Sequence, residues 1–286
     1  MPLTVACAQI APMKAEVQTN LDKIAEVALQ ASSEGADLVL FPEAATTGYF
    51  LEGGVLESSL TSEELCQQLG QRLATMLSKP LDVALGFYEN FEGQLFNAAA
   101  YVEVTREGAK CLGTYRKFFL PTYGVFDEER FVTPGRKLGV FETRLGKIGM
   151  LICEDVWHSI LPTLTALAGA QILLVPTASP ARGFGDPQIT NLDRYQRLLR
   201  GVSEEHGIFC VNSQLCGFEG GKGFVGGSMV IDPMGKVLVQ SPVGEEHLLL
   251  APLDLDLIRI ARAQSPLISD LQSAWGEIRQ IVVDEL

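Results

Sequence analysis

Glu43 is the first of three residues whose type and position could support chemistry at the end of a predicted buried strand. It follows the apolar run 37–41 and Pro42. In open α/β sheets ligands bind beyond the carboxyl ends of the strands, and a carboxylate there is partly desolvated. Desolvation raises its pKa toward the range useful for a general base. The alternative is a solvated loop glutamate, since glutamate is usually exposed.

Lys117 is the second residue, and it lies within the largely aromatic stretch 115–126. A lysine that is partly buried in such surroundings needs a carboxylate partner, because an unpaired buried charge is costly. The alternative is a lysine at a strand end whose ammonium group reaches solvent along an apolar surface.

Cys153 is the third residue, and it ends the apolar strand predicted around 147–152, just before a turn into a helix. This placement is typical of a nucleophile elbow, in which the side chain is exposed and the next backbone N–H points into the site. A nearby lysine and a helix N-terminus would lower the pKa of the thiol. The alternative is an inert cysteine in the core.

The elements that must position these residues alternate between apolar strands and amphipathic helices. This pattern is typical of α/β sheets covered by helices. The first half of the chain resembles the second in element order, so we predict an α/β fold with two sheets flanked by helices in one domain, 1–286. The predicted inner strands are 3–10, 37–41, 82–87, 147–152, 171–176 and 207–212, and the predicted long helices are 16–34, 62–78, 157–169 and 188–205.

Several other classes of site are not supported. Residues 221–226 match G-x-G-x-x-G, but a strand-like segment follows where a dinucleotide site needs a helix, which favours a glycine-rich loop. Six cysteines without a C-x-x-C pair and three histidines do not offer the usual zinc spacing. The net charge of −13 makes nucleic acid an improbable partner.

No run of the sequence reaches the roughly 18 apolar residues that a membrane span needs. The first residues lack the basic and apolar regions of a signal peptide. We therefore expect a cytoplasmic protein with no membrane partner, whose cysteines are thiols.

Several short motifs stand at or near the ends of the predicted strands. They are Ala-Gln-Ile at 8–10, Leu-Phe-Pro-Glu at 40–43, Tyr-Arg-Lys-Phe-Phe-Leu-Pro at 115–121, Leu-Ile-Cys-Glu-Asp at 151–155, Ala-Ser-Pro at 178–180, Asn212 and the run 226–235. Together these motifs resemble the carbon–nitrogen hydrolase (nitrilase) superfamily, and the segment 120–128 looks most like the glutaminase domains of glutamine-dependent NAD synthetases, that is, glutaminase-type amidases. The resemblance implies an α-β-β-α sandwich and a mechanism without a metal or organic cofactor.

The resemblance also implies a role for each reactive residue. Glu43 would be the general base and Cys153 the nucleophile that attacks a carbonyl carbon. Lys117 and the backbone N–H of Glu154 would stabilise the oxyanion, and one such donor contributes about 2.7–4 kcal/mol. Glu128 would position Lys117 and the substrate.

Substrate contacts are implied for five residues, Tyr49, Tyr123, Phe126, Glu154 and Ser179. The aromatic pair at 123 and 126 could instead pack in the core. We expect the loops 44–60, 121–135 and 181–190 to shape the pocket. Nitrile-hydrolysing relatives usually have Cys-Trp-Glu where this chain has Cys-Glu-Asp at 153–155, which favours an amide substrate.

The leading hypothesis is an amidase that releases ammonia or an amine from a small carboxamide through a thioester. A nitrilase and a glutamine-hydrolysing subunit are alternatives. A catalytically silent binding or redox protein is the hypothesis of another class, although Glu43, Lys117, Glu128 and Cys153 are all present. The resemblance also implies a homodimer or higher homo-oligomer, in which 254–286 could cover a neighbour or pack on its own subunit.

Overall fold

The computed structural model describes residues 3–181 and 190–285, and its centre is a pair of six-stranded sheets. In the first sheet three parallel strands lie side by side in the middle, with antiparallel strands at both edges. Its strands are β1 (Leu3–Gln9), β2 (Leu38–Leu40), β3 (Leu81–Phe91), β4 (Gln94–Thr105), β5 (Gly108–Arg116) and β14 (His247–Leu253), in the order β14-β1-β2-β3-β4-β5.

The second sheet repeats this arrangement. Three parallel strands again have one antiparallel neighbour on the side of the first strand and two on the side of the third. The predicted pseudo-symmetric pair of sheets is therefore confirmed. The strands are β6 (Gly139–Thr143), β7 (Gly146–Met150), β8 (Ile172–Thr177), β9 (Phe209–Gln214), β12 (Met229–Ile231) and β13 (Val237–Gln240), in the order β13-β12-β9-β8-β7-β6.

Helices cover the outer faces of both sheets, as the alternating pattern predicted. α1 (Val17–Ser33), α2 (Val55–Ser58) and α3 (Ser62–Leu73) lie in the first half of the chain, and α4 (Ile160–Leu167) and α5 (Thr190–His206) in the second. α6 (Asp256–Gln264), α7 (Leu267–Ser273) and α8 (Trp275–Glu285) follow the last strand.

Side-chain alternation in the strands explains the layers. In β1, Val5 and Cys7 face the core between the sheets, whereas Ala6 and Ala8 face the core under α1 and α3. Successive residues of a strand point to opposite faces, so a strand buried on both sides reads as a continuous apolar run. The carboxyl ends of the inner strands are thus held by packing on both faces.

Local signals account for the ends of two helices. α3 begins with a capping box, in which the Thr61 hydroxyl accepts a hydrogen bond from the Glu64 N–H and the Glu64 carboxylate accepts one from the Thr61 N–H. α1 ends just before Gly35, whose φ of +99° suits glycine.

The glycine-rich segment 221–226 belongs to a small hairpin. β10 (Cys216–Glu219) pairs with β11 (Lys222–Val225) across a turn at Gly220 and Gly221, both with positive φ. The element that follows this segment is the strand β12, where a dinucleotide site needs a helix, so the sequence interpretation is confirmed.

The last three helices differ in how they are buried. Ile258 and Ala261 of α6 and Ile268 of α7 are buried on their own subunit, which agrees with one of the two readings for 254–286. α8 buries none of its side chains fully, and Ile281 and Val282 are about half exposed. The homo-oligomer stays a prediction.

All six cysteines, each of which the structure describes, are free thiols. Within the described part of the chain, no helix has the length and apolar character to cross a membrane. In the predicted pocket loop 181–190, residues 182–189 lie outside the described residues.

Candidate active site

Segments that follow strands of the first sheet bring Glu43, Lys117 and Glu128 together. The Lys117 Nζ donates hydrogen bonds to Glu43 Oε1 and to Glu128 Oε1, each at 2.7 Å. Glu43 and Lys117 are completely buried, and Glu128 is nearly so. The buried lysine therefore has two carboxylate partners where one was predicted. The alternatives, a solvated loop glutamate at position 43 and a lysine at position 117 that reaches solvent, are not what the structure shows.

Glu43 is held by contacts on both carboxylate oxygens. Oε1 also accepts a hydrogen bond from Asn97 Nδ2 at 2.8 Å, and Oε2 accepts one from the Ala178 N–H of the second sheet at 2.8 Å. The neighbouring strand passes so close that a Cβ on Gly86 would lie 2.5 Å from the Glu43 Cα. Glycine at position 86 therefore allows the carboxylate to take this position.

Burial and charge act against each other in this cluster. Burial alone would lower the pKa of Lys117, but the carboxylates of Glu128 and Glu43 outweigh it and hold this pKa well above its ordinary value. Burial raises the pKa of Glu128 to about 7, although Lys117 opposes this shift. The hydroxyl of Tyr49 donates a further hydrogen bond to Glu128 Oε1.

Cys153 lies at a tight turn after the first parallel strand of the second sheet. It begins a 3₁₀-helix, Cys153–Trp157, and has a φ of +51°. A non-glycine residue in this region is strained, as expected of a nucleophile on a strand-to-helix turn. Cys153 is partly exposed, whereas Cys7 and Cys210 are fully buried.

The predicted lowering of the thiol pKa is wrong. The pKa of Cys153 is raised well above its ordinary value, first by burial and then by the negative charge of Glu43, while Lys117 offsets only part of this. The helix that follows is one short 3₁₀ segment, so its dipole is small. In this state the sulfur holds its proton until a base removes it.

Four of the predicted substrate-binding residues line a narrow cleft beside Cys153. The cleft has a volume of about 10 Å³, which is room for about one water. The four residues are Tyr123, Phe126, Glu154 and Ser179. The Tyr123 hydroxyl donates to Glu154 Oε2 at 2.7 Å. Tyr123 is 41% exposed, so it is not a core residue, whereas Phe126 packs in an aromatic cluster with Tyr49 and Phe50.

Tyr49, the fifth predicted substrate contact, lies elsewhere. It lines a cavity of about 540 Å³ together with Phe126 and Glu128. Its ring centre is 5.7 Å from the Lys117 Nζ. In this structure Tyr49 supports the Glu128–Lys117 pair, and Phe126 separates the large cavity from the Cys153 cleft, since it lines both.

Asp155 is a buried residue that the sequence reasoning did not single out. It accepts hydrogen bonds from the Phe119 N–H and the Tyr115 hydroxyl at 2.8 Å, and from the Ile152 N–H at 3.2 Å. Burial raises its pKa to about 6. It therefore ties the segment after Lys117 to the segment before Cys153, and its place two residues after Cys153 was the available signal.

Tyr195 is the second residue that the sequence reasoning missed as functional. Its hydroxyl lies 3.1 Å from the Cys153 Sγ. The sequence placed it only on the apolar face of a helix, with Leu199 and Val202, and this spacing carries no signal of a polar contact. Among residues 3–181 and 190–285, no group of three or more histidine, cysteine or acidic side chains is arranged to hold a metal.

Comparison with known proteins supports the sequence resemblance. The glutamine-dependent NAD(+) synthetase of Thermotoga maritima is 34% identical over 261 residues, which cover 89% of this chain and 42% of that protein. The structure of the glutamine-dependent NAD+ synthetase from Acinetobacter baumannii matches with a TM-score of 0.78 and 29% identity, over 90% of this chain and 47% of the other. The chain thus spans less than half the length of these synthetases.

A mutant of the amidase from Nesterenkonia sp. AN1 matches over nearly the whole length of both chains. The TM-score is 0.74 with 26% identity, over 92% of this chain and 94% of the amidase. That structure shows covalent addition of the acetamide moiety of fluoroacetamide at the amidase's active site cysteine. The carbon-nitrogen hydrolase family model matches residues 4–263. The chain belongs to the carbon-nitrogen hydrolase family.

Proposed function

We propose that this chain is an amidase that uses Cys153 to release ammonia from a small primary carboxamide through a thioester. The observation that carries the proposal is the convergence of the buried Glu43–Lys117–Glu128 cluster on the cleft of Cys153. Ala178 links the two, because its N–H binds Glu43 and the residue lines the cleft.

Glu43 takes the thiol proton as Sγ attacks the carbonyl carbon, and a tetrahedral oxyanion forms. The raised thiol pKa fits a base that acts at the moment of attack. Two of the three N–H bonds of Lys117 point to carboxylates, which leaves one for the substrate oxygen. The backbone N–H of Glu154 is the second donor.

The intermediate collapses when Glu43 returns the proton to the leaving nitrogen. Ammonia departs and a thioester on Cys153 remains. Glu43 then activates a water molecule, which hydrolyses the thioester to the carboxylic acid. Glu128 keeps the ammonium of Lys117 in place throughout.

The test compares Cys153→Ala with Cys111→Ala, a half-buried thiol outside the cleft. Ammonia release is measured over a panel of primary amides. We expect Cys153→Ala to lose at least about 10³-fold in rate, and Cys111→Ala to keep the wild-type rate. Cys153→Ala activity equal to wild type would falsify the proposal. Mass spectrometry of wild-type enzyme quenched during turnover should show the acyl adduct on Cys153.

Glutamine is a second candidate substrate, favoured by the identity to glutamine-dependent NAD(+) synthetases. In that case the ammonia would pass to a partner enzyme. Comparing kcat/KM for glutamine, neutral aliphatic amides and the matching nitriles separates the amidase, glutaminase and nitrilase hypotheses. A catalytically silent protein would hydrolyse none of them and would leave Cys153 unreactive toward iodoacetamide.

A further inference from the structure

The first two turns of α5 border the Cys153 cleft. Asn191 and Tyr195, one helical turn apart, both line it. Tyr195 is completely buried, and its hydroxyl is 3.1 Å from the Cys153 Sγ. The mechanism above gives this hydroxyl no part, although it contacts the reacting atom itself.

Contacts other than the sulfur fix the position of the Tyr195 ring. Asn191 Nδ2 donates to the Pro180 carbonyl at 2.7 Å, which fastens the start of α5 to the segment after β8. The Trp157 ring packs edge-on against Tyr195, with centroids 5.8 Å apart, and the Arg194 guanidinium lies 4.6 Å above the Trp157 ring. The hydroxyl is therefore held in place before the thiol ionises.

Tyr195 keeps its proton at neutral pH. Burial, followed by the charges of Cys153 and Glu43, raises the pKa of its hydroxyl well above the ordinary value. Beside a thiolate the hydroxyl can only donate, because the sulfur then carries no hydrogen. A hydrogen bond to a charged acceptor is about twice as strong as one between neutral groups.

We propose that Tyr195 is a further catalytic residue, whose O–H donates a hydrogen bond to the Cys153 sulfur and stabilises the thiolate. The inference rests on Cys153 being the nucleophile of the proposed function. The S–H bond breaks and an O–H bond forms on Glu43, while Tyr195 keeps its own proton. When the S–C bond forms, the negative charge passes to the substrate oxygen, and the hydrogen bond to sulfur weakens because thioether sulfur is a weak acceptor.

The titration of Cys153 depends on several groups from different elements. Glu43 after β2 and Lys117 after β5 act on the thiol through their charges, and the Tyr49 hydroxyl also interacts electrostatically with it. The titratable groups that line the cleft with Cys153 are Tyr123, Glu154 and Tyr195. A test must therefore remove the phenolic oxygen alone and leave the other groups in place.

Tyr195→Phe does this, and Tyr101→Phe is the matched control. Tyr101 is also fully buried, and its hydroxyl bonds to Asp82 in the first sheet rather than to the site. The readout is the rate of Cys153 alkylation by iodoacetamide across pH, followed by peptide mass spectrometry. This readout requires no substrate.

In Tyr195→Phe we expect the midpoint of the alkylation profile to rise by about one pH unit, so that alkylation near neutral pH slows about tenfold. The rates at the high-pH plateau should match wild type. Tyr101→Phe should keep the wild-type midpoint. An unchanged or lower midpoint in Tyr195→Phe would overturn the proposal and leave the phenol as a packing group.

A second measurement tests the proposal if Tyr195→Phe folds poorly. Placing 3-fluorotyrosine at position 195 alone makes this phenol a stronger donor without changing its shape greatly. The midpoint for Cys153 should then fall, and a midpoint that stays in place contradicts the proposal. Failure of the amidase itself is detected separately, because the wild type would then release no ammonia from any amide, or Cys153→Ala would release as much as the wild type, whatever the alkylation profile shows.

Discussion

The two sheets share one strand order but contribute different chemistry to the cleft. In each, the second of three parallel strands ends at the site, β2 before Glu43 and β8 before Ala178. The first sheet supplies ionisable side chains, Glu43 and Lys117. The second supplies the thiol of Cys153, the proposed nucleophile, and a backbone N–H. The halves meet where the Ala178 N–H binds Glu43 Oε2 at 2.8 Å.

This difference separates the charge from the nucleophile. An ammonium between two carboxylates is buried on one side, whereas the thiol on the other side contacts the uncharged Tyr195 hydroxyl. In the proposed mechanism the proton of Cys153 therefore moves from the second half of the molecule to the first as the reaction begins. Changes to the first sheet should affect charge stabilisation, and changes to the second should affect the thiol and the folding of its turn.

The largest effect is expected from Lys117→Met. It removes the oxyanion donor and leaves two buried carboxylates without a cation. We expect kcat/KM to fall about 10²–10³-fold and the free energy of unfolding to fall by about 3–5 kcal/mol. Enzyme assays and urea unfolding measure both. The control is Lys147→Met, a half-exposed lysine of the second sheet paired with Glu142; if both variants behave alike, the first sheet has no special role.

The second prediction compares one glycine from each sheet, Gly86 from the first and Gly149 from the second. A Cβ on Gly86 would press on the backbone of Glu43 at 2.5 Å, whereas one on Gly149 would lie 2.4 Å from the Thr165 Cγ2, away from the cleft. Each alanine variant should lose about 1–3 kcal/mol of stability through overpacking. Only Gly86→Ala should also lower kcat, by about 10–10²-fold, because it displaces the base. Equal kcat values in the two folded variants would contradict this division.

A third effect is on stability alone and concerns its pH dependence through Asp155. Because its pKa in the folded protein, about 6, lies above the ordinary 3.8, its protonated form stabilises the fold below pH 4. That contribution is lost as pH rises through 6.

Asp155→Asn cannot ionise, so its stability relative to wild type should improve by about 3 kcal/mol between pH 4 and pH 8. Urea unfolding of both proteins across this range measures the difference. Glu128 titrates in both proteins, so its contribution to the pH dependence of stability cancels in the difference. A stability difference that is constant with pH would show that Asp155 does not titrate in this range.

The smallest effect is expected at the hairpin that supports Tyr49. The Glu219 carboxylate accepts hydrogen bonds from the Tyr49 and Phe50 N–H groups at 2.9 Å. Glu219→Gln keeps one acceptor, so we expect about 1 kcal/mol less stability and only a several-fold lower kcat/KM. Glu246→Gln, which removes an exposed pairing with Lys23, is the control. A loss as large as that of Lys117→Met would mean that this hairpin contributes directly to the chemistry.

Sequence reasoning reached the sheets and the reactive residues because both leave local signals. Apolar runs mark the strands buried on two faces, and Glu43 and Cys153 follow such runs, whereas Lys117 stood out as a lysine within an aromatic stretch. Tyr195 left no such signal, since its distance to sulfur depends on how α5 packs across the turn. The direction of the thiol pKa was missed for a similar reason, because it depends on burial and on the placement of Glu43, 110 positions away in the chain.

The 10 Å³ beside Cys153 has a kinetic consequence. A carboxamide is larger than one water, so we expect its binding to require that side chains lining the cleft move. Movement of Tyr123 would break its hydrogen bond to Glu154, so we expect binding to slow as the amide becomes wider. We therefore expect the rate at which a reagent modifies the Cys153 sulfur to fall as the reagent becomes bulkier, even where its intrinsic reactivity is high.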